Sequence, residues 1–293
     1  MVAAAVLALA CAACGGEEPR SLLLISVDTL RPDGLGFGGN PAGTSPALDA
    51  LAAEVAERGN PPLWLAYFGP EPPERYGLRA KRLPGCAPVK GMVAISADYR
   101  VKSRQGTTPF ECVKDGKSAI RWVRENAGKL GVDAKRVAAG GGSAGGHVAA
   151  ATGNCPGLEE KGENLKISSK PDALVLFNPV YDNSSKGFGH DRVKPRWKEI
   201  SPMHNIAKGA PPTIVFLGTK DKLIPVSTAK EYEKRLVAVG SRSVLHLYDG
   251  AVHGFFNKGK KGDHYPDTVA KMDDFLNSLG WLKGEPAIEK GSK

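Results

Sequence analysis

The chain has 293 residues, of which 41% are hydrophobic, and carries 40 Lys and Arg against 31 Asp and Glu, for a formal net charge of +9. That length buries one sizeable core, and one main domain is expected. The basic residues are scattered among the acids without a block flanked by aromatics, which excludes a nucleic-acid-binding stripe; the densest cluster, "NKGKKGDH" (257–264), reads as a solvated loop.

The chain opens on "MVAAAVLALACAACGG", an apolar run ending in small residues and cysteines and followed by polar "EEPRS". Residues 1–20 resemble a bacterial lipoprotein export signal, in which Cys11 or Cys14 becomes the lipidated residue, and this predicts an exported, periplasmic or membrane-anchored protein. The run is too short to span a bilayer as a helix. Cys11 and Cys14 spell C-x-x-C without the strand that precedes a redox pair, and Cys86, Cys112 and Cys155 form no disulfide framework.

Next comes "LLLISVDTLRPDGLGFGGNPAGTSPALDALAAE" (22–54), within an N-terminal segment of residues 21–60. It resembles the opening of a sulfatase, where a strand ends in metal-binding aspartates. Asp28 stands at such a place, with Thr29 where a second Asp is common. The sulfatase nucleophile motif is absent; "CAPVK" (86–90) comes nearest, with Lys90 in place of Arg, and no later segment supplies the remaining ligands. No metal and no other cofactor is expected. Residues 61–90 are rich in Pro and Arg and form an irregular junction, with "LWLAYF" (63–68) its one strand-like run.

From residue 91 short apolar runs alternate with helical patterns. "MVAISADY" (92–99) reads as a buried strand, and the following helix carries Ile120, Val123, Ala127 and Leu130 on one face and closes at Gly131. The strand "RVAAGG" leads to an alanine-rich helix from about Gly145, then the strand "ALVLFNP" (173–179) and a long loop to about residue 210. "TIVFLG" (213–218) precedes a helix with Ser227 as N-cap and Ala229, Tyr232, Leu236 and Val239 on one face. The strand "SVLHLYDG" (243–250) and a last helix opening near Asp267, burying Val269, Met272, Leu276 and Leu279, complete the pattern; residues 284–293 are a polar tail. Such alternation predicts a mostly parallel sheet with helices on both faces and a ligand site at the C-terminal strand ends.

Three of those ends carry chemistry. "GGGSAGG" contains G-x-S-x-G, which by composition arises by chance in about one such chain in four, so the motif needs company. Asp221 in "GTKDKLIP" and His253 in "DGAVHGFF" supply it. Serine follows one strand end, aspartate a later one and histidine the last, in the chain order of an α/β-hydrolase triad. A serine hydroxyl is a poor nucleophile until an imidazole takes its proton, and a buried carboxylate fixes the tautomer of that imidazole. Glycines at 141 and 145 permit a tight strand-to-helix turn, and the Ala144 N–H at the helix start is placed to meet a developing oxyanion. Taken singly, Asp221 also reads as a turn residue and His253 as a loop histidine.

The stretches "GMVAISADYRV", "GGSAGGHVAAATG", "FNPVYDN", "PPTIVFLGTKDKLIPVSTAKEY" and "LHLYDGAVHGFFN" resemble an α/β-hydrolase esterase of the bacterial acetyl-esterase and lipase group, over about residues 91–283. The resemblance implies hydrolysis of carboxylic esters through an acyl-enzyme, with short acyl groups such as acetyl on a polysaccharide sugar. It implies Ser143 as nucleophile, His253 as base, Asp221 as its orienter and Asp98 as a structural residue at a strand end. His147 packs within its helix. Gly142, Asn178 and Tyr181 are candidates to line the substrate pocket, and Asn178 and Tyr181 have a plain loop role as the alternative. The group's "HGGG"-like loop, which completes the oxyanion hole from an earlier strand, is missing, so the early strands of the fold are expected to be missing or replaced. The alternative expectation is a catalytically impaired hybrid, a sulfatase-like start joined out of register to an esterase body, and behind it a sulfatase-type hydrolase.

Overall fold

A computed structural model describes residues 20–27, 92–95, 97, 99–130, 132–257 and 260–282, with only the backbone path given for 20–27, 92–95, 103–104 and 129–130. Residues 1–19 of the expected export signal, the segment from Asp28 through Lys90, Asp98, Gly131 and the polar tail lie outside the described residues.

Six strands form one parallel sheet: β1 (Arg20–Val27), β2 (Met92–Ile95), β3 (Val132–Gly142), β4 (Ala173–Phe177), β5 (Thr213–Gly218) and β6 (Ser243–Tyr248). Their spatial order is β2-β1-β3-β4-β5-β6, and every neighbouring pair is parallel. The expected gap among the early strands is filled by "RSLLLISV", which lies between β2 and β3. Its run of four apolar residues, Leu22 to Ile25, is the pattern of a strand covered on both faces. A segment that the sequence assigns to a separate N-terminal unit is therefore an interior strand of the hydrolase sheet. The register pairs Val27 with Gly142, which brings the C-terminal end of β1 level with the residue before Ser143.

Alternation along the strands divides the core in two. Ala139, Leu174, Leu176, Val215 and Leu217 join one buried cluster, while Ala138, Ala173, Val175, Ile214 and Phe216 join the other. The period of two sends successive side chains to opposite faces. Full burial of each Leu, Val or Phe stabilises by about 1.5–3 kcal/mol.

The first face is covered by helices α1 (Pro109–Glu125), α2 (Ala144–Asn154) and α3 (Val226–Ala238), and the second by α4 (Tyr265–Ser278). Helix α1 starts in a capping box, in which Thr108 and Glu111 exchange hydrogen bonds and Pro109 takes the first helical position. It ends at Glu125 rather than running on: Asn126 interrupts it, and Ala127–Leu130 form a separate turn. Helix α2 is buried from Gly145 to Asn154, and its small residues let it lie close against the sheet. Helix α3 buries Ala229, Tyr232 and Leu236 as expected, but its N-cap is Pro225, so Ser227 lies inside the first turn. Helix α4 opens at Tyr265, two residues before Asp267, with His264 as N-cap.

The positive charge is anchored locally. Lys117 and Arg121 on α1 are only 3% exposed and reach across to the 155–172 segment. Arg121 pairs with Glu159 at 2.6 Å and with Glu163, and Lys117 Nζ donates to the Cys155 carbonyl at 2.8 Å. Lys260 and Lys261 in the basic cluster are exposed. No helix among the described residues is long and apolar enough to cross a membrane.

Candidate active site

Ser143 sits between β3 and α2 with φ 55° and ψ −118°. Such a backbone conformation costs a non-glycine residue about 1–3 kcal/mol and persists only where its surroundings impose it. Here they do. The Ser143 N–H donates to the Phe177 carbonyl at 3.0 Å, and its carbonyl accepts from His147 N–H at 3.0 Å and Val180 N–H at 3.4 Å. Close approaches fall at glycines 142 and 146. A Cβ on Gly146 would lie 2.8 Å from Pro179 Cβ and 2.9 Å from the Gly141 oxygen, and one on Gly142 would meet the Phe256 ring at 2.7 Å.

Asp221 occupies the turn after β5, and its side chain is fully buried. Its Oδ1 accepts from the Leu223 N–H at 2.8 Å and the Ile224 N–H at 3.1 Å, and its Oδ2 faces His253 Nδ1 at 2.7 Å. Burial pushes the carboxyl pKa up, but the hydrogen bond from His253 and the two backbone donors outweigh it, and the pKa lies below the usual aspartate value. The anion is thus the resting form.

His253 lies beyond β6, with Nε2 at 2.9 Å from Ser143 Oγ. Three sequence-distant groups therefore form one line, Ser143 to His253 to Asp221. The two loops are also joined through their backbones, Lys220 N–H donating to the Ala251 carbonyl at 2.9 Å and Thr219 N–H to the Tyr248 carbonyl at 2.9 Å. Gly218 makes this possible, since a Cβ there would stand 2.3 Å from the Ala251 oxygen.

The remaining candidates separate. Ala144 opens α2, so its N–H has no acceptor within the helix and points outward at the positive end of the helix dipole, beside Ser143. Gly142 is buried against Phe256. Asn178 is only 1% exposed and holds the histidine loop instead of lining a pocket: its Oδ1 accepts from the Gly254 N–H at 2.9 Å. Tyr181 is not a pocket residue either. It is 0% exposed and stacks on Tyr232 at 4.6 Å within the core, because the chain after Pro179 turns inward. His147, expected to pack within its helix, is buried and instead bonds outside it, its Nε2 against the Ile200 carbonyl at 2.8 Å and Asn183 Oδ1 at 3.1 Å. Burial holds its pKa below the ordinary histidine value. Among the described residues no group of His, Cys, Asp and Glu is arranged to hold a metal ion. Sequence reasoning missed Gly218 and the Asn178–Gly254 contact; the one visible signal was an Asn directly after a buried strand.

A strained serine at the end of a central parallel strand, facing a histidine backed by a buried carboxylate, defines the α/β-hydrolase class. Comparison with known proteins narrows it. Residues 86–183 match the BD-FAE family profile, and residues 172–285 match the dienelactone hydrolase family. Esterase LipC of Mycobacterium tuberculosis is 31% identical over 186 residues, 57% of this chain and 46% of LipC. The arylesterase of Saccharolobus solfataricus is 43% identical over 184 residues, 55% of this chain and 57% of that protein. The chain thus spans about half the length of the curated relatives it matches. The apo structure of Thermogutta terrifontis esterase 2 superposes with a TM-score of 0.70 at 33% identity, covering 92% of this chain and 87% of that one. The chain belongs to the α/β-hydrolase esterases.

Proposed function

We propose that this protein hydrolyses carboxylic esters of short acyl chains through an acyl-enzyme on Ser143. The observation that carries the reading is the continuous line from Ser143 Oγ to His253 Nε2 at 2.9 Å and from His253 Nδ1 to Asp221 Oδ2 at 2.7 Å. In the acylation step His253 Nε2 takes the hydroxyl proton as Ser143 Oγ attacks the ester carbonyl, and Asp221 stabilises the resulting imidazolium. The Ala144 N–H donates to the oxyanion. Collapse expels the alcohol, which receives the proton from His253. Water then attacks the acyl-enzyme by the same route, releasing the acid and restoring the serine.

The preference for short acyl groups draws support from related structures, since Thermogutta terrifontis esterase 2 is described with propionate and with butyrate bound. An acetyl group on a polysaccharide sugar as the natural substrate rests on the sequence resemblance. Export and lipidation at Cys11 or Cys14 rest on the amino-terminal run; palmitate labelling of the full chain, lost when Cys11→Ser and Cys14→Ser are combined, is the expected result, and labelling that persists would refute it.

The test of the catalytic reading is release of p-nitrophenol from p-nitrophenyl acetate and butyrate by the wild type and by Ser143→Ala. Paraoxon labelling of intact protein accompanies it, because the related esterase 2 is described as phosphorylated by paraoxon. Wild-type turnover that falls by about 10³-fold or more in Ser143→Ala, with loss of the paraoxon adduct, is expected. Equal rates in the two proteins would overturn the esterase reading and leave a hydrolase-like fold without that activity.

A further inference from the structure

We infer that Asn178 is a positioning residue that selects the working tautomer of His253 and resists its premature protonation; this rests on the Ser143–His253–Asp221 reading above. Asn178 directly follows β4 and stands in the left-handed region at φ 35°, a conformation that Asn tolerates better than most residues. Its backbone N–H donates to the Phe216 carbonyl at 2.7 Å, which holds the residue level with the end of β5. At 1% exposure its amide cannot turn to water.

The orientation of that amide follows from its partners. The Gly254 N–H can only donate, so the atom 2.9 Å from it is the carbonyl oxygen, Oδ1. Nδ2 is then the atom 3.4 Å from His253 Nε2. An amide nitrogen can only donate, so this contact is favourable only while Nε2 keeps its lone pair. With Nε2 unprotonated, the ring proton resides on Nδ1 and is donated to Asp221 Oδ2 at 2.7 Å. That is the tautomer able to accept the proton of Ser143 Oγ, 2.9 Å from Nε2.

Among the described residues, the ring nitrogens make hydrogen-bonding contacts with Asp221 on Nδ1 and with Ser143 and Asn178 on Nε2; Tyr181, from the segment after β4, lies close enough to Asp221 to interact with it electrostatically. Burial pushes the Tyr181 phenol well above its ordinary value, so it adds no charge. Asp221 favours the imidazolium, and the Asn178 donor opposes it. Asn178 therefore favours the ring with Nε2 unprotonated, the form that serves as base. It also ties the residue after His253 to the end of β4, fixing the ring against Ser143.

The test is the pH profile of kcat/KM for p-nitrophenyl butyrate in wild type, Asn178→Gly and Asn178→Asp. Glycine keeps the positive φ and removes the donor; aspartate keeps the shape and replaces the donor with an acceptor for a protonated Nε2. The acid limb is expected to move to higher pH in Asn178→Gly and further, by about 1–3 units, in Asn178→Asp. Since a buried carboxylate can prevent folding, circular dichroism checks Asn178→Asp, and Asn178→Gly decides alone if that variant is unfolded. Where turnover is too low, the pH dependence of paraoxon labelling reads the same limb. An acid limb unmoved in the folded variants, with only a fall in rate or melting temperature, would reduce Asn178 to a structural residue and overturn the inference. Retained activity in Ser143→Ala would instead overturn the reading on which it rests.

Discussion

Replacing Asp221 by Asn tests the histidine geometry most sharply, because the local hydrogen bonds dictate how the new amide must sit. Oδ1 of Asp221 accepts from two backbone donors, Leu223 N–H at 2.8 Å and Ile224 N–H at 3.1 Å. In Asp221→Asn only the carbonyl oxygen can take that place, which turns the NH₂ group toward His253 Nδ1, 2.7 Å from the present Oδ2. Nδ1 must then accept, the ring proton moves to Nε2, and Ser143 Oγ faces a donor instead of a base. The penalty for the wrong tautomer in a serine triad is about 10⁴-fold in kcat, or roughly 5.4 kcal/mol of barrier. Folding should lose far less, about 1.5–3 kcal/mol for one hydrogen bond to a charged group, since both backbone donors stay satisfied. There is also a pH signature. The folded-state pKa of Asp221 lies below its unfolded value, so its ionisation contributes stability that is fully present above the unfolded pKa and lost as pH falls through the folded one. The variant should lack that part of the acid-side loss. Steady-state hydrolysis of p-nitrophenyl butyrate and urea melts across pH measure both effects. A folded Asp221→Asn that keeps kcat within about tenfold of wild type would refute the tautomer argument.

Two further outcomes follow from packing. Gly218→Ala places a methyl 2.3 Å from the Ala251 oxygen and 2.6 Å from its carbonyl carbon, both backbone atoms that cannot swing aside. The turn bearing Asp221 and the loop bearing His253 should part, lowering stability by about 1–3 kcal/mol and kcat by about 10²-fold; wild-type kcat in the purified variant would contradict this. Arg121→Ala removes a partner from Glu163 and leaves Glu159 to Lys117, 3.2 Å away; it should lower the urea stability by about 1.5–3 kcal/mol while leaving kcat of the folded fraction unchanged, and an unshifted midpoint would show that the pairing contributes nothing.

Much of this architecture is legible in short stretches of chain. "TIVFLG" is β5 residue for residue, and the strands from 173 and 243 begin where their apolar runs begin. Those runs are strands because continuous branched and aromatic residues between turn signals can bury both faces of a parallel sheet. Helix ends were less clear. Pro225 rather than Ser227 caps α3, and Asn126 splits the segment after α1, because local hydrogen bonds and packing select among several competent cap residues. The site residues Ser143, Asp221 and His253 could be named from their order after three strands, since the topology of such a sheet gathers its C-terminal ends.

Their mutual geometry belongs to another level. Ser143 and His253 are 110 residues apart and meet only through the registers of four neighbouring strands and the close approach at Gly218. Residues 20–27 enter the sheet between β2 and β3, a place no local pattern specifies, because any apolar run of that length satisfies the same ladder of backbone hydrogen bonds. Tyr181 and Asn178 make the same point from opposite sides. Both read as candidate pocket residues, or plain loop residues, after a strand, yet one is carried into the core against Tyr232 and the other is clamped onto the turn of His253. Periodicity and chain order follow from the chemistry of neighbouring residues and are written in the sequence itself. Which buried side chain meets which partner is decided by long-range packing, where a few ångströms of approach separate a core tyrosine from a pocket wall and an idle amide from one that faces the histidine.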